Sequence, residues 1–310
     1  IGKDTVVRAT KFGLKNMAQG IFYQISMLMI TGMTIAWLPN YATIVGLFSI
    51  ADAVTRIVIQ DLPMKAAIAE SYNNDKIALT KYYTTATFKW YGILTFFLAV
   101  SILQLVPPIV GVVAGNYAAA AWMIAPLMVS RFFIGPIHFS DSVHQGCDKP
   151  EYAAYSLAVQ MIGRAISFWI LLSPNALPTL FDNYNLALAY VLADFPSVIA
   201  KNIFAWWIVD RKLFKIEINW WQTIAAPALS VLPLIGINRF VLYLFNTYAR
   251  GDMLLSVIAA LGIMVFLIFG LPAFFYFPFL GLIGGWDERG LRHLKEAAKI
   301  SGPSKPLTTM

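Results

Sequence analysis

The apolar residues of this chain are gathered into stretches of twenty or more residues, which short polar breaks separate. They make up 59% of the 310 residues, whereas charged residues make up 13%, against about 25% in a typical soluble domain. Because an α-helix rises about 1.5 Å per residue, about 20 apolar residues cross the ~30 Å hydrocarbon core of a bilayer. The pattern excludes an ordinary soluble protein and predicts an all-α, polytopic membrane helix bundle.

Eight membrane spans are predicted from these stretches, over residues 12–36, 41–69, 82–106, 117–140, 152–173, 186–209, 220–246 and 253–282. Four charged residues and one amide interrupt the second span: Asp52, Arg56, Gln60, Asp61 and Lys65. We predict it to be continuous nevertheless, because a chain that leaves its helix within lipid exposes unpaired backbone groups.

The basic residues of the predicted loops alternate with the side of the membrane. If the N-terminus is cytoplasmic, the inner segments hold fourteen lysines and arginines and the outer loops hold only Arg250. Cytoplasmic loops of membrane proteins are rich in these residues, so the count supports a cell-membrane protein with eight spans and both ends of this segment in the cytoplasm. The net charge of +7 is not concentrated in a basic tract, so it does not indicate a nucleic-acid partner.

No residue pattern in the chain is typical of catalysis. The three histidines have no metal-ligand spacing, and no phosphate-binding glycine loop or catalytic triad order occurs. The single cysteine, Cys147, excludes a disulfide framework and is interpreted as a core residue. We therefore predict a protein that is not an enzyme and needs no cofactor or metal.

Charged residues inside the predicted spans are the main functional candidates, because ionisable groups are costly in lipid. Asp52, Arg56 and Gln60 recur every four residues and so share one helix face. Arg56 is predicted near mid-depth, where it either meets an anionic substrate group bidentately with Asp52 holding it between substrates, or merely neutralises Asp52 against neighbouring helices. Gln24 on the preceding span favours an aqueous cavity, since lipid tolerates an amide poorly.

Three further cations fall near the middle of predicted spans. Arg131 lies in the fourth span, Arg164 in the fifth, and Asp194 and Lys201 on similar faces of the sixth. Asp52 and Asp194 are the only two carboxylates predicted deep in the membrane, against four deep cations. Each of the three additional cations either binds substrate or pairs between helices, and some positive charge is expected to remain for water or ligand.

Four short motifs follow one another along the chain: ATIVGLFSIADAVTRIV at 42–58, ESYNND at 70–75, GNYAAAAW at 115–122 and GCDKPEY at 146–152. In their order they resemble the second half of a polysaccharide flippase of the multidrug/oligosaccharidyl-lipid/polysaccharide exporter superfamily. Members of that group carry a G-L-(Y/F)-S-I-A stretch in the seventh and eighth helices, then Y-A-A-A and G-(R/K)-P motifs. The resemblance extends over nearly all of the chain.

The resemblance implies that the eight spans match helices seven to fourteen of a fourteen-helix, two-lobe transporter. It divides the chain into a cytoplasmic basic linker (1–11), a six-helix C-terminal lobe (12–209), two additional transmembrane helices (210–282) and a cytoplasmic basic tail (283–310). The N-terminal lobe would come from the same polypeptide or from a second chain. Related lipid II flippases keep a functionally needed arginine on the eighth helix, which corresponds here to the helix of Arg56.

The expected function is alternating-access transport of a polyprenyl-(pyro)phosphate-linked oligosaccharide across the cytoplasmic membrane, for cell-surface polysaccharide or glycoprotein assembly. The expected partners are this lipid-linked sugar with its anionic headgroup, the membrane lipids and the missing lobe. A proton- or sodium-coupled multidrug antiporter of the same superfamily is the nearest alternative, and it would need acids in the cavity. A membrane-embedded glycosyltransferase or a non-transporting scaffold subunit are the remaining alternatives.

Overall fold

The computed structural model describes residues 3–38, 40–59, 64–113, 120–173, 183–248, 262, 266, 270, 272–288 and 290–292, and these form helices, turns and connecting segments without a β-strand. The helices are α1 (Lys3–Trp37), α2 (Tyr41–Thr55), α3 (Lys65–Asn73), α4 (Ile77–Val113), α5 (Ile124–Gly146), α6 (Pro150–Leu172), α7 (Asn183–Ile208), α8 (Ala226–Tyr248) and α9 (Phe277–Leu282). Shorter helical turns cover Arg56–Val58, Val209–Leu213, Trp221–Ala225 and Pro272–Tyr276.

Seven of the described helical segments are long and apolar enough to cross a membrane. They cover Ala9–Trp37, Tyr41–Val58, Ile77–Gln104, Ala120–Gly146, Pro150–Leu172, Leu188–Leu213 and Trp221–Phe240. Each corresponds to one of the first seven predicted spans, so the prediction of a multi-pass membrane helix bundle is confirmed. Most of the eighth predicted span, 253–282, lies outside the described residues.

The second predicted span differs from the structure, because the helix does not run from 41 to 69. Helix α2 ends at Thr55, a 3₁₀ turn covers Arg56–Val58, and Ile59 has extended backbone. The chain resumes as the separate helix α3 at Lys65. Pro63 favours a break near Ile59, since proline lacks a backbone N–H donor and its ring clashes in a helix with the carbonyl four residues earlier. Arg56 was predicted near the middle of a continuous helix. It lies instead in the turn that ends the segment.

Two other boundaries also differ from the prediction. Helix α4 continues through Pro107 and Pro108 to Val113, seven residues past the predicted end at residue 106. Helix α5 continues to Gly146, six residues past the predicted end at residue 140. The predicted basic linker is helical from Lys3 onward as the start of α1.

The chain divides into two compact units, residues 1–218 and 219–310. The division falls nine residues after the predicted boundary at 209/210, because Val209 and Phe214 are buried in the first unit. In that unit α6 packs along α7, α1 packs against α6, and α5 packs against α7, α3, α4 and α2. In the second unit α8 contacts the turn Pro272–Tyr276 and helix α9.

One apolar cluster holds the end of the first unit where α3, α4, α5 and the segment after α7 meet. Its buried residues are Met64, Ile68, Phe88, Tyr91, Phe139, Val143, Cys147, Val209 and Phe214. The ring centroids of Phe88 and Phe139 lie 5.8 Å apart in an edge-to-face arrangement, which is a favourable aromatic geometry. Burial of these side chains fixes α5, which carries several residues of the site described next.

Helices α4 and α5 approach closely at Gly135. A β-carbon at this position would overlap the ring of Tyr91, so only glycine admits that ring. The Tyr91 hydroxyl donates a hydrogen bond of 2.8 Å to the carbonyl oxygen of Arg131. The contact therefore holds the turn of α5 that presents the Arg131 side chain.

Candidate functional site

A cavity of about 630 Å³ lies within the first unit, among α1, α2, α5, α6 and α7. Seven of the eight predicted site residues line it: Gln24, Asp52, Arg56, Arg131, Arg164, Asp194 and Lys201. The eighth, Gln60, lies outside the described residues. Side chains predicted on five separate spans therefore meet around one space, and its volume is within the roughly 300–1,000 Å³ of sites for small molecules.

Each helix contributes one stripe of side chains at helical spacing. The stripe of α5 contains residues 131, 134, 138 and 141, and that of α7 contains residues 190, 194, 198 and 201. Positions three and four apart lie on one face of a helix. The remaining faces of these helices carry exposed apolar residues such as Leu28, Ile162 and Ile203, which suits contact with lipid. The charged residues of these helices therefore face the cavity among apolar ones, whereas the exposed residues away from it are apolar.

The carboxylate of Asp52 is shared between two arginines. One oxygen pairs with the guanidinium of Arg131 on α5, and the other lies 2.7 Å from Nε of Arg56. The Arg131 side chain is 10% exposed, whereas that of Arg56 is 72% exposed. Nε of Arg131 also donates to the hydroxyl of Thr55 at 3.4 Å. Arg131 is therefore a buried partner of Asp52, and Arg56 is open to the cavity.

A second ion pair joins α6 to α7. Nε of Arg164 donates to the carboxylate of Asp194, and the Ser197 hydroxyl donates to the same carboxylate oxygen at 3.1 Å. One terminal nitrogen of Arg164 lies 4.0 Å from the sulfur of Met27 on α1. The Arg164 side chain is 14% exposed. For this cation the structure supports the pairing alternative, although its guanidinium also borders the cavity.

The third ion pair joins Lys201 to Asp141, a carboxylate that was not predicted as a site residue. Nζ of Lys201 donates to Oδ2 of Asp141 on α5 at 2.8 Å, and the Lys201 side chain is only 4% exposed. Asp141 lines the cavity together with His138 one turn away. Asp141 was missed because the predicted fourth span ends at residue 140, whereas His138 lies within that span and was considered only as a metal ligand. The i, i+3, i+7, i+10 spacing from Arg131 is the signal that a longer helix would have revealed.

Among the described residues that line the cavity, the charges almost balance. Four cations, Arg56, Arg131, Arg164 and Lys201, face three carboxylates, Asp52, Asp141 and Asp194. The expectation that only two acids oppose these cations is therefore corrected to three among the described residues. Of these described charges, the surplus positive one belongs to the two arginines that share Asp52, and Arg56 is the exposed member of that group.

Three aromatic side chains line the cavity one helical turn away from the paired charges. Phe48 and Phe168 each contact the ring of Tyr190 edge to face, with centroids 5.0 and 5.5 Å from it. These residues precede Asp52 on α2, follow Arg164 on α6 and precede Asp194 on α7 by one turn each. The rings therefore cap the paired charges at one end of the cavity.

No group of three or more histidine, cysteine, aspartate or glutamate side chains is placed to hold a metal ion among the described residues.

Comparison with protein-family models, with curated proteins and with solved structures found no match for this chain. The flippase family therefore stays a resemblance of sequence motifs, and any statement about function has to rest on the cavity.

Proposed function

We propose that this chain is part of a transporter that moves a polyprenyl-(pyro)phosphate-linked oligosaccharide across the cytoplasmic membrane by alternating access. The observation that carries the proposal is the Asp52 carboxylate, which serves two arginines at once. One carboxylate leaves one positive charge on the pair, and Arg56 presents it to the cavity. A guanidinium binds phosphate oxygens through two parallel hydrogen bonds, so an anionic headgroup suits this position.

The buried partner explains why Arg56 can release Asp52. When an anion takes the exposed guanidinium, Asp52 keeps its pair with Arg131 and is not left as an isolated charge in a low-dielectric interior. When the anion leaves, Nε of Arg56 returns to Asp52 at 2.7 Å. Binding therefore exchanges one ionic partner for another, which lowers the cost of loading and unloading the site.

The outer faces of the helices support a lipid-linked substrate. Leu28 on α1 is 73% exposed, and Ile203 on α7 and Trp169 on α6 are also exposed. In a bilayer such faces contact acyl chains, whereas the cavity among the same helices is polar. A molecule with an anionic head and an isoprenoid tail fits both environments.

The alternatives need a carboxylate that is free to act. A proton- or sodium-coupled antiporter must load its ion on an acid, and a glycosyltransferase needs an acid for its chemistry. Each of the three carboxylates that line the cavity in the described part of the chain is ion-paired with a cation. The arrangement favours an anionic substrate over both alternatives, and the transport experiment below separates it from a scaffold role.

The test is transport by the purified protein in lipid vesicles. A fluorescent polyprenyl-diphosphate sugar is placed in both leaflets, and the fraction that becomes accessible to a membrane-impermeant quencher is followed. We expect the wild type to accelerate transfer between leaflets and Arg56→Ala to abolish the acceleration. Arg239→Ala is the matched control, because Arg239 is an exposed arginine on α8 and does not line the cavity. A wild type without activity, or an Arg56→Ala variant as active as the wild type, would overturn the proposal.

A further inference from the structure

The wall of the cavity between α1 and α6 differs chemically from the rest of its lining. Tyr23 and Gln24 lie next to each other on α1, and Asn16 lies two turns earlier on the same helix. Gln160 belongs to the cavity stripe of α6, the helix that packs against α1. We define these four residues as the amide wall. None of them is charged. The ion pairs that line the cavity are formed instead by residues of α2 and the turn after it, of α5 and α7, and by Arg164 of α6.

The three carboxamides of the amide wall make no hydrogen bond to any other described residue. A primary amide carries two N–H donors and a carbonyl acceptor with two lone pairs. None of the three is buried, so their polar groups are open to the cavity. The wall thus offers donors and acceptors together, without a charge.

This chemistry matches a sugar hydroxyl better than an ion. A hydroxyl both donates and accepts hydrogen bonds, and so does a carboxamide. An anion would gain nothing from the carbonyl oxygens, and a cation would gain nothing from the N–H groups. Tyr23 is 46% exposed, and its ring offers the apolar surface that the C–H face of a pyranose can cover. A few placed polar groups beside an aromatic ring are what fix the orientation of a ligand in a pocket.

The amide wall continues directly into the cationic part of the cavity. Gln160 and Arg164 are four residues apart on α6, so they lie on one face about 6 Å apart along the helix axis. Gln24 is three residues before Met27, whose sulfur lies 4.0 Å from a terminal nitrogen of Arg164. A ligand whose anionic group binds Arg56 can therefore extend past Arg164 and along α1 and α6 to these amides.

We infer that the amide wall binds the neutral pyranose ring of the substrate through Tyr23, Gln24 and Gln160, with Asn16 at the far end, while Arg56 binds the anionic group. This inference rests on the proposed function and adds the position and the chemical class of the sugar. The wall is then a specificity determinant, because a site that hydrogen-bonds hydroxyls discriminates against a ligand that lacks them.

The experiment measures binding of matched probes to the purified protein by titration calorimetry. The probes are farnesyl diphosphate and the same lipid carrying glucose or N-acetylglucosamine on its terminal phosphate, which adds the sugar and removes one ionisable group, so tighter binding of a sugar-bearing probe cannot come from added charge. We expect the wild type to bind at least one sugar-bearing probe more tightly than farnesyl diphosphate. Gln160→Leu and Tyr23→Leu should each weaken that binding about tenfold and leave the affinity for farnesyl diphosphate unchanged.

Matched controls keep the result interpretable. Gln222→Leu removes an amide in the second unit, and Tyr155→Leu removes a ring that is 56% exposed on α6 outside the cavity lining. Both should bind every probe as the wild type does. Unfolding temperatures of all variants are recorded, so that a loss of folded protein is not counted as a loss of affinity.

The outcomes separate the two proposals. If Gln160→Leu and Tyr23→Leu change neither affinity, or weaken both probes equally, the sugar subsite is wrong. If the wild type binds all probes with one affinity that depends on Arg56, the proposed function stands and the sugar subsite is wrong. If the wild type binds no diphosphate lipid, the proposed function and the subsite are both wrong.

Discussion

Arg131 on α5 and Asp52 on α2 form a buried ion pair beside the cavity, with side chains 10% and 9% exposed. The pair joins two helices that are far apart in the sequence, and it leaves the second oxygen of Asp52 for Arg56. Because a buried charge without its partner is costly, this pair sets both the position and the ionisation of Asp52. Because Asp52 already has this buried partner, the exposed guanidinium of Arg56 is available to bind an anionic ligand.

Arg131→Met should destabilise the protein by up to about 3–5 kcal/mol, because it removes the buried partner of Asp52 and leaves that carboxylate with the exposed Arg56 alone. The double variant Arg131→Met, Asp52→Asn should recover most of that loss, since it leaves no buried carboxylate unpaired. Denaturant or thermal unfolding in detergent measures both. If the double variant is no more stable than Arg131→Met, the pair does not hold the site as described.

The pair of Lys201 and Asp141 should behave differently from an exposed pair. Lys201 is 4% exposed, so Asp141→Asn leaves a buried ammonium with a weakened partner and should destabilise the protein by a few kcal/mol. The matched control is Glu151→Gln, which disrupts the half-exposed pair of Lys15 and Glu151 at 3.0 Å and should cost about 1 kcal/mol or less. Equal losses in the two variants would argue against burial of the Lys201 pair.

Gly135→Ala should destabilise the bundle, because the added methyl group overlaps the ring of Tyr91 and forces α4 and α5 apart. The matched control is Gly32→Ala on α1, where a β-carbon meets nothing within 4 Å. That change should be neutral or stabilising, since alanine favours a helix over glycine by about 1 kcal/mol. Unfolding temperatures of the two variants provide the comparison, and a stable Gly135→Ala variant would contradict the close approach.

Cys147 should resist thiol reagents in the folded protein. Its side chain is 1% exposed, and burial raises the pKa of the thiol from 9.0 to about 12. Because the thiolate is the reactive form, maleimide labelling should stay slow between pH 7 and 9 and become fast on unfolding. Lys76→Cys in a Cys147→Ala background is the exposed control, and its labelling should accelerate with pH.

The raised pKa of Cys147 also makes the stability of the folded protein depend on pH. The folded protein favours the protonated thiol, so this contribution is fully present below pH 9 and is lost as the pH rises through the folded pKa of about 12. Cys147→Ala should therefore weaken the pH dependence of unfolding between those values. Fast labelling of Cys147 in the native state at pH 7 would contradict its burial.

Much of the architecture could be predicted because membrane spans depend on local sequence. Long apolar runs and loop charges indicated seven segments that the structure contains, and helical spacing indicated which polar side chains share a face. Asp52 and Arg56 could be paired on this basis, since they lie one turn apart on the same segment.

The partners across helices could not be predicted, because they depend on which distant helices pack together. Nothing in the local sequence connects Arg131 with Asp52, or Lys201 with Asp141. The break after Val58 was also missed, since the apolar residues continue on both sides of it. Because α2 ends at Thr55, Arg56 lies in the turn that follows it, where its side chain is exposed.

In the proposed mechanism Arg56 carries the surplus positive charge of the described cavity lining and receives the anionic group of the ligand. The affinity of the purified protein for farnesyl diphosphate, compared between the wild type, Arg56→Ala and the control Arg239→Ala, measures this role. We expect binding at least about tenfold weaker in Arg56→Ala and unchanged in Arg239→Ala. Equal affinities in the wild type and Arg56→Ala would contradict it.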